Sequence, residues 1–302
     1  MAGPVQVSPV LWVQFRLSGG WRNALLVLCG YGVLLAVLAV FTFHGPIKVS
    51  SKTVASGWLI TMNMIQTGLL VLVGTGAVRR AILQDFTTGL FDSHRLTPMT
   101  GPAAVLGYMI GPNVGPLMFL GINAAAGLVL CPMCGHPIPE WLLGIGFELM
   151  FALLLWAFAA VSALGTQGSA KLVVLILFLA AVGGWAIIVL VPGIGLLALG
   201  VLAAMLNLMP GIAGTMMPGT SLATLTLAAQ GVLGAILFWA AVRKYRRPDL
   251  RAFPIWLALA LVGSQAVMGG VGIHLWSRRP RALNEFPSPD VFTQIVATLA
   301  VL

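Results

Sequence analysis

Long apolar runs, separated by short polar stretches, set the pattern of this chain. Runs at Ala24–Phe43, Trp58–Val78, Ala103–Leu130, Trp141–Leu164, Leu172–Val191, Leu222–Val242 and Phe253–Leu275 each reach the length of about 20 residues that a helix needs to cross a bilayer. They predict transmembrane helices. The third run is interrupted by Pro112 and Pro116. After the fifth, "VPGIG" (Val191–Gly195) breaks the helix, because proline lacks an amide donor and glycine is conformationally loose. Ile194–Leu208 is apolar but too short to span, and "MPGIAGTMMPG" (Met209–Gly219) reads as loop. A last apolar piece, Val291–Leu302, is also short.

Two polar interruptions have a pattern of their own. Ser8–Asn23 mixes Val10, Leu11, Val13, Phe15 and Leu17 with Gln14, Arg16 and Arg22, the pattern of a short amphipathic helix lying at the membrane interface. The second is "DFTTGLFDSHRLTPMTGPAAVLGY" (Asp85–Tyr108). Asp85 to Leu96 predicts a short helix with Leu83, Phe86, Leu90 and Phe91 on one side. Asp85, Asp92, Ser93 and Arg95 spread over the other side, and Asp92 and Arg95 have the spacing to pair. Thr97-Pro98 stops this helix, and Thr100-Gly101-Pro102 opens the next span.

Composition supports the membrane reading. Of 302 residues, 59% are hydrophobic and 8% charged, against about 25% charged in soluble domains. The net charge of +9 fits basic residues gathered on the cytoplasmic side, not affinity for nucleic acid. With the N-terminus inside, Arg16, Arg22, Arg79, Arg80, Arg95, Lys171 and the run "RKYRRPDLR" (Arg243–Arg251) all face the cytoplasm, provided that Ile194–Leu208 is re-entrant on the outer side. Arg278, Arg279 and Arg281 then fall outside, against the rule. The expected localisation is the inner (cytoplasmic) membrane.

Candidate chemistry is sparse. The sequence has no G-x-x-x-x-G-K-[ST], H-E-x-x-H or G-x-S-x-G, so ATP binding or hydrolysis by this chain is not expected. Glu148 is the acid inside an apolar run. It either meets substrate or protons in the bundle interior, or is a hydrogen-bonded packing residue near the outer end. Asn63, Gln66, Asn113 and Asn123 read as interhelical glue, with Asn113 and Asn123 also candidates, beside Glu148, for a substrate path. "CPMCGHP" (Cys131–Pro137) supplies at most three zinc ligands, so a structural loop is expected before a metal shared across a dimer.

The polar insert resembles the first cytoplasmic loop of type-2 ATP-binding-cassette (ABC) exporter permeases. Gly89, Leu90 and Asp92 match that family's first loop motif, Leu96–Thr100 its Leu-Thr-Pro step, and Val105–Gly107 its Val-Leu-Gly step. "SPVLWVQFR" resembles its N-terminal interfacial helix. Tyr108 stands where the family has lysine, and Gln84-Asp85 where it has a stronger Glu-Arg-like pair. The resemblance implies an all-α integral membrane fold: a six-span permease core over residues 1–247, plus further C-terminal membrane segments over 248–302. The core would carry an interfacial helix at 8–20, a coupling loop at 79–102 and an outer re-entrant hairpin at 192–219. It implies that Asp85, Gly89, Leu90, Phe91, Asp92, Arg95, Leu96, Thr97 and Pro98 form a coupling helix. That helix would dock a separate ATPase subunit, which binds ATP and magnesium, and a second permease copy or homologue would complete a dimer. The alternatives are a standalone secondary transporter and a structural subunit of a membrane complex.

Overall fold

Ser50 and Thr100 show how the chain starts its long helices. The Ser50 hydroxyl accepts a hydrogen bond from the Thr53 amide at 3.2 Å, and the Thr100 hydroxyl accepts from the Ala103 amide at 3.4 Å. Each satisfies an amide that the first helical turn leaves unpaired. In the computed structural model, residues 9–17, 19–44, 50–91, 93, 99–165, 220–247, 256, 259 and 260 are described. Helices account for all of the regular structure among them. The longer α-helices, in chain order, are α1 (Pro9–Leu17), α2 (Gly20–His44), α3 (Ser51–Gly68), α4 (Gly74–Thr87), α5 (Gly101–Ile110), α6 (Val114–Cys134), α7 (Ile138–Gly165) and α8 (Thr220–Arg246).

Four continuous stretches are long and apolar enough to cross a membrane: Gly20–Thr42, Ser51–Thr87, Gly101–Cys134 and Ile138–Gly165. They cover the first four predicted spans. α8 covers the predicted sixth span and packs along α7. α2 leaves Leu25, Leu26, Val33, Leu34, Val40 and Phe41 exposed, a surface suited to lipid. The re-entrant segment, the fifth span, residues 278–302 and most of the seventh span lie outside the described residues.

Two spans depart from regular α-helix, and they do so side by side. Between α3 and α4 the chain takes one π-helical stretch, Leu69–Val73. Between α5 and α6 it takes a 3-10 turn, Gly111–Asn113, where Pro112 removes a donor. Trp156 of α7 fills the junction: its indole Nε1 donates to the Leu70 carbonyl in the π stretch at 2.9 Å. Gly74 follows that stretch, and a Cβ there would sit 2.6 Å from Trp156 Nε1 and 2.9 Å from Asn113 Oδ1. A side chain at position 74 would therefore force three helices apart. The predicted interruption at Pro112 is present, whereas Pro116 lies in the first turn of α6 and causes no break.

The helix α1 is docked into the protein rather than only resting at an interface. It buries Val10, Gln14 and Phe15. It crosses α5 at Gly107 and the adjoining 3-10 turn at Gly111. A Cβ at Gly107 would lie 2.8 Å from the Leu11 amide nitrogen, and one at Gly111 would lie 2.6 Å from Gln14 Cβ. The Gly-x-x-x-Gly spacing lets the two backbones approach closely.

One element boundary corrects the sequence reading. The polar insert does not begin a separate helix at Asp85; helical backbone resumes at Leu90 and Phe91, after a turn at Gly89. α4 runs on through Thr87 and ends at Gly89, whose φ of +73° is a left-handed conformation that glycine adopts at little cost. The burial pattern differs too. Asp85 was expected on the polar side, but it continues the buried face set by Val78 and Ile82, at helical spacing.

Candidate functional site

Three polar constellations sit in the described bundle. The first is at the end of the bundle where α8 carries Arg243, Lys244 and Arg246 in its last turn; Arg79 and Arg80 lie on α4. Asp85 is 1% exposed there. It accepts a 2.7 Å hydrogen bond from the Tyr108 hydroxyl of α5 and a 3.3 Å bond from the Gln14 amide of α1. One carboxylate therefore ties three elements together. Burial makes such contacts necessary, because an unpaired carboxylate out of water is costly.

Beyond Asp85, the Gly89 turn redirects the chain. Phe91 is buried and stacks on Phe86, with ring centroids 4.0 Å apart, and meets Tyr245 of α8 edge-on at 5.2 Å. Leu90, between them in sequence, stays 43% exposed. The result is an outward-facing leucine on a base held by three packed aromatic rings. Of the predicted docking residues, Asp85 and Phe91 face inward, whereas Gly89 and Leu90 are at the surface. Asp92, Arg95, Leu96, Thr97 and Pro98 lie outside the described residues.

The second constellation is inside the bundle. Glu148 of α7 is 1% exposed. Its carboxyl accepts from the Gln66 amide and, at 3.0 Å, from the Thr67 hydroxyl, both on α3. Asn63, one turn away on α3, lies within reach of the same carboxyl. The other two candidates for a substrate path go elsewhere. Asn113 donates to the Met109 carbonyl at 2.8 Å and sits against Gly74. Asn123 accepts from Tyr31 of α2 at 2.8 Å and donates to the Met62 carbonyl of α3 at 3.4 Å. Asn123 is interhelical glue between α2, α3 and α6. Several buried polar atoms have no hydrogen-bond partner: Gln66 Oε1, Thr75 Oγ1, Asn113 Oδ1 and both amide atoms of Gln230.

The third constellation closes the opposite end. Gly135, with φ +75°, caps α6, while the His136 amide bonds to the Cys131 carbonyl at 2.9 Å and the Gly135 amide to the Pro132 carbonyl at 3.3 Å. This paired C-terminal cap explains the glycine in "CPMCGHP". Cys131 and Cys134 are buried free thiols, packed with Ala55, Leu59 and Trp141. Among the described residues no group of three or more His, Cys, Asp and Glu side chains is placed to hold a metal ion. Burial holds the His136 imidazole below its ordinary value, with Glu140 opposing the shift.

Sequence reasoning named Gln14 and Tyr108 without placing them on Asp85, and it missed Thr67 and Trp156. The signal for the first two was present in Gly107-x-x-x-Gly111, which marks a close helix crossing. No protein-family model matches the chain, and no curated protein or solved structure matches it.

Proposed function

We propose that this chain is the membrane-spanning subunit of a type-2 ABC exporter. The basic end faces the cytoplasm in this reading, and the segment from Gly89 onward docks a separate ATPase subunit that binds ATP and magnesium. A second permease copy or homologue completes the transport path, and the membrane is the cytoplasmic one. The observation that carries the reading is the exposed Leu90 beside clamped Phe91. A docking element needs an apolar group left free for the partner and a rigid base that passes force inward. Asp85 supplies the inward link. Movement at the docking segment reaches α5 through Tyr108 and α1 through Gln14. The catalytic step, ATP hydrolysis, belongs to the partner.

The buried Glu148 favours a second reading, a standalone transporter driven by a proton gradient. Flux in proteoliposomes separates the two. The exporter reading expects substrate movement only with the ATPase subunit and ATP, abolished by Leu90→Asp. Flux driven by a proton gradient without ATP, and lost in Glu148→Gln, contradicts it.

A further inference from the structure

We infer that the corner between α1 and α2 binds the headgroup of an anionic phospholipid. α1 has two faces. Val10 and Gln14, one turn apart, are buried, while Trp12 and Arg16, one turn apart on the opposite side, are exposed. The Arg16 guanidinium lies over the Trp12 ring, 5.2 Å from its centroid. A guanidinium held on a ring in this way keeps N–H donors for the oxygens of a phosphate. The chain then turns at Gly19 and Gly20, whose φ values of +102° and +61° are left-handed. Phe15 and Trp21 meet edge-on across the turn, with ring centroids 5.2 Å apart. Their neighbours in sequence are Arg16 and Arg22, both exposed, so the turn brings two fixed positive charges to one corner.

The protein does not balance this charge. The first acid in the chain is Asp85, which is buried and bonded to Tyr108 and Gln14. Neither guanidinium meets a carboxylate among the described residues. The surroundings choose among anions. Leu25 and Leu26, one turn beyond Arg22 on α2, are exposed, and Cys29 and Val33 continue that exposed face. The span therefore carries a cation at its end and an apolar stripe leading from it into the bilayer. A phospholipid has the same order, phosphate first and hydrocarbon tail after. A free phosphate or nucleotide gains nothing from the stripe. Exposed Trp12 and Trp21 set the corner at headgroup depth, where tryptophan is enriched. A zwitterionic headgroup brings a cation of its own, which the arginines repel. The ligand class is therefore a phospholipid of net negative charge, such as phosphatidylglycerol.

The test is a titration of the purified full chain, in detergent, with equal amounts of phosphatidylglycerol and phosphatidylcholine, the lipid retained through gel filtration being counted by mass spectrometry. Wild type is expected to retain phosphatidylglycerol in clear excess. Its dissociation constant is expected to rise by about fivefold in Arg16→Gln and in Arg22→Gln, the scale of one basic residue at an anionic surface. Arg80→Gln, which removes an equal charge from α4, is expected to leave it unchanged. Phosphatidylglycerol with a photoreactive group beside its headgroup is expected to label wild type within residues 9–26. That labelling decides the matter even if a variant fails to fold. Equal retention of the two lipids, an equal loss in Arg80→Gln, labelling only outside residues 9–26, or displacement by inorganic phosphate at the lipid's own concentration overturns the site. The assay contains no ATPase, so its failure leaves the docking reading standing, and a failure of docking leaves this site standing.

Discussion

Tyr108 donates a 2.7 Å hydrogen bond to Asp85 across 23 positions of sequence, between two spans that the chain joins through its polar insert. The bond fixes the end of α4 against α5 where the insert begins. Gln14 brings α1 to the same carboxylate. Removing the hydroxyl in Tyr108→Phe leaves Asp85 with one fewer donor in a buried site. The expected loss is about 1 kcal/mol, the scale of hydrogen bonds between membrane helices. A thermal melt in detergent reads it as a lowered Tm. A double-mutant cycle with Gln14→Leu is expected to show coupling, because both residues share one acceptor. Strict additivity would contradict the three-element joint.

Docking of α1 depends on two glycines. Gly107→Leu places a side chain against the Leu11 backbone, which cannot rotate away. Overpacking of this kind costs about 1–3 kcal/mol, more than the short α1 can absorb without moving. Hydrogen exchange over residues 9–17 is expected to accelerate in Gly107→Leu while α7 keeps its protection. Unchanged protection of α1 would count against the close crossing.

The π stretch and the 3-10 turn meet at Gly74. Gly74→Ala is expected to destabilise the fold by about 1–3 kcal/mol, because its Cβ meets Trp156 Nε1 and Asn113 Oδ1 below contact distance. Trp156→Phe removes the indole nitrogen and makes room. Combined with Gly74→Ala, it is expected to lose less than the sum of the two single changes. Calorimetric or fluorescence melts of the four proteins check this.

His136 gives a pH signature at the end opposite the basic cluster. Its folded pKa is below the ordinary value because burial disfavours the charged imidazolium. The unfolded chain therefore binds the extra proton first. Stability from the neutral imidazole is fully present above the unfolded value of about 6.5 and is lost as pH falls through the lower folded value. Replacing it in His136→Gln is expected to flatten the fall in Tm over that acidic window. A wild-type Tm that rises on acidification there would contradict the assignment.

The sequence makes the spans legible because apolar length is a local property. Trp141–Leu164 and Ala103–Leu130 lie within observed helical stretches that extend only a few residues further. The α4 boundary was less legible. Asp85 looked like a residue meeting water, since acids at the end of an apolar run usually do. Its burial depends on Tyr108 and Gln14, which are distant in sequence. The π stretch at Leu69–Val73 was hidden for a related reason: "LLVLV" has ordinary helical composition, and the Leu70 carbonyl is held by Trp156 from another span. Glu148 was legible as an oddity, because a lone acid in an apolar run is conspicuous. Gln66 was legible as interhelical glue, but its pairing with Glu148, and the part of Thr67, were not, since pairing across helices leaves no local mark.

The central claim is that Leu90 and its neighbours dock an ATPase. The most direct test is affinity purification of the full chain from its native membrane, with the bound protein identified by mass spectrometry. The account predicts an ABC ATPase, recognised by its phosphate-binding G-x-x-x-x-G-K-[ST] loop, retained in stoichiometric amount by wild type and lost in a folded Leu90→Asp. Wild-type chain that purifies without any such ATPase, or Leu90→Asp that retains it in full, would contradict the account.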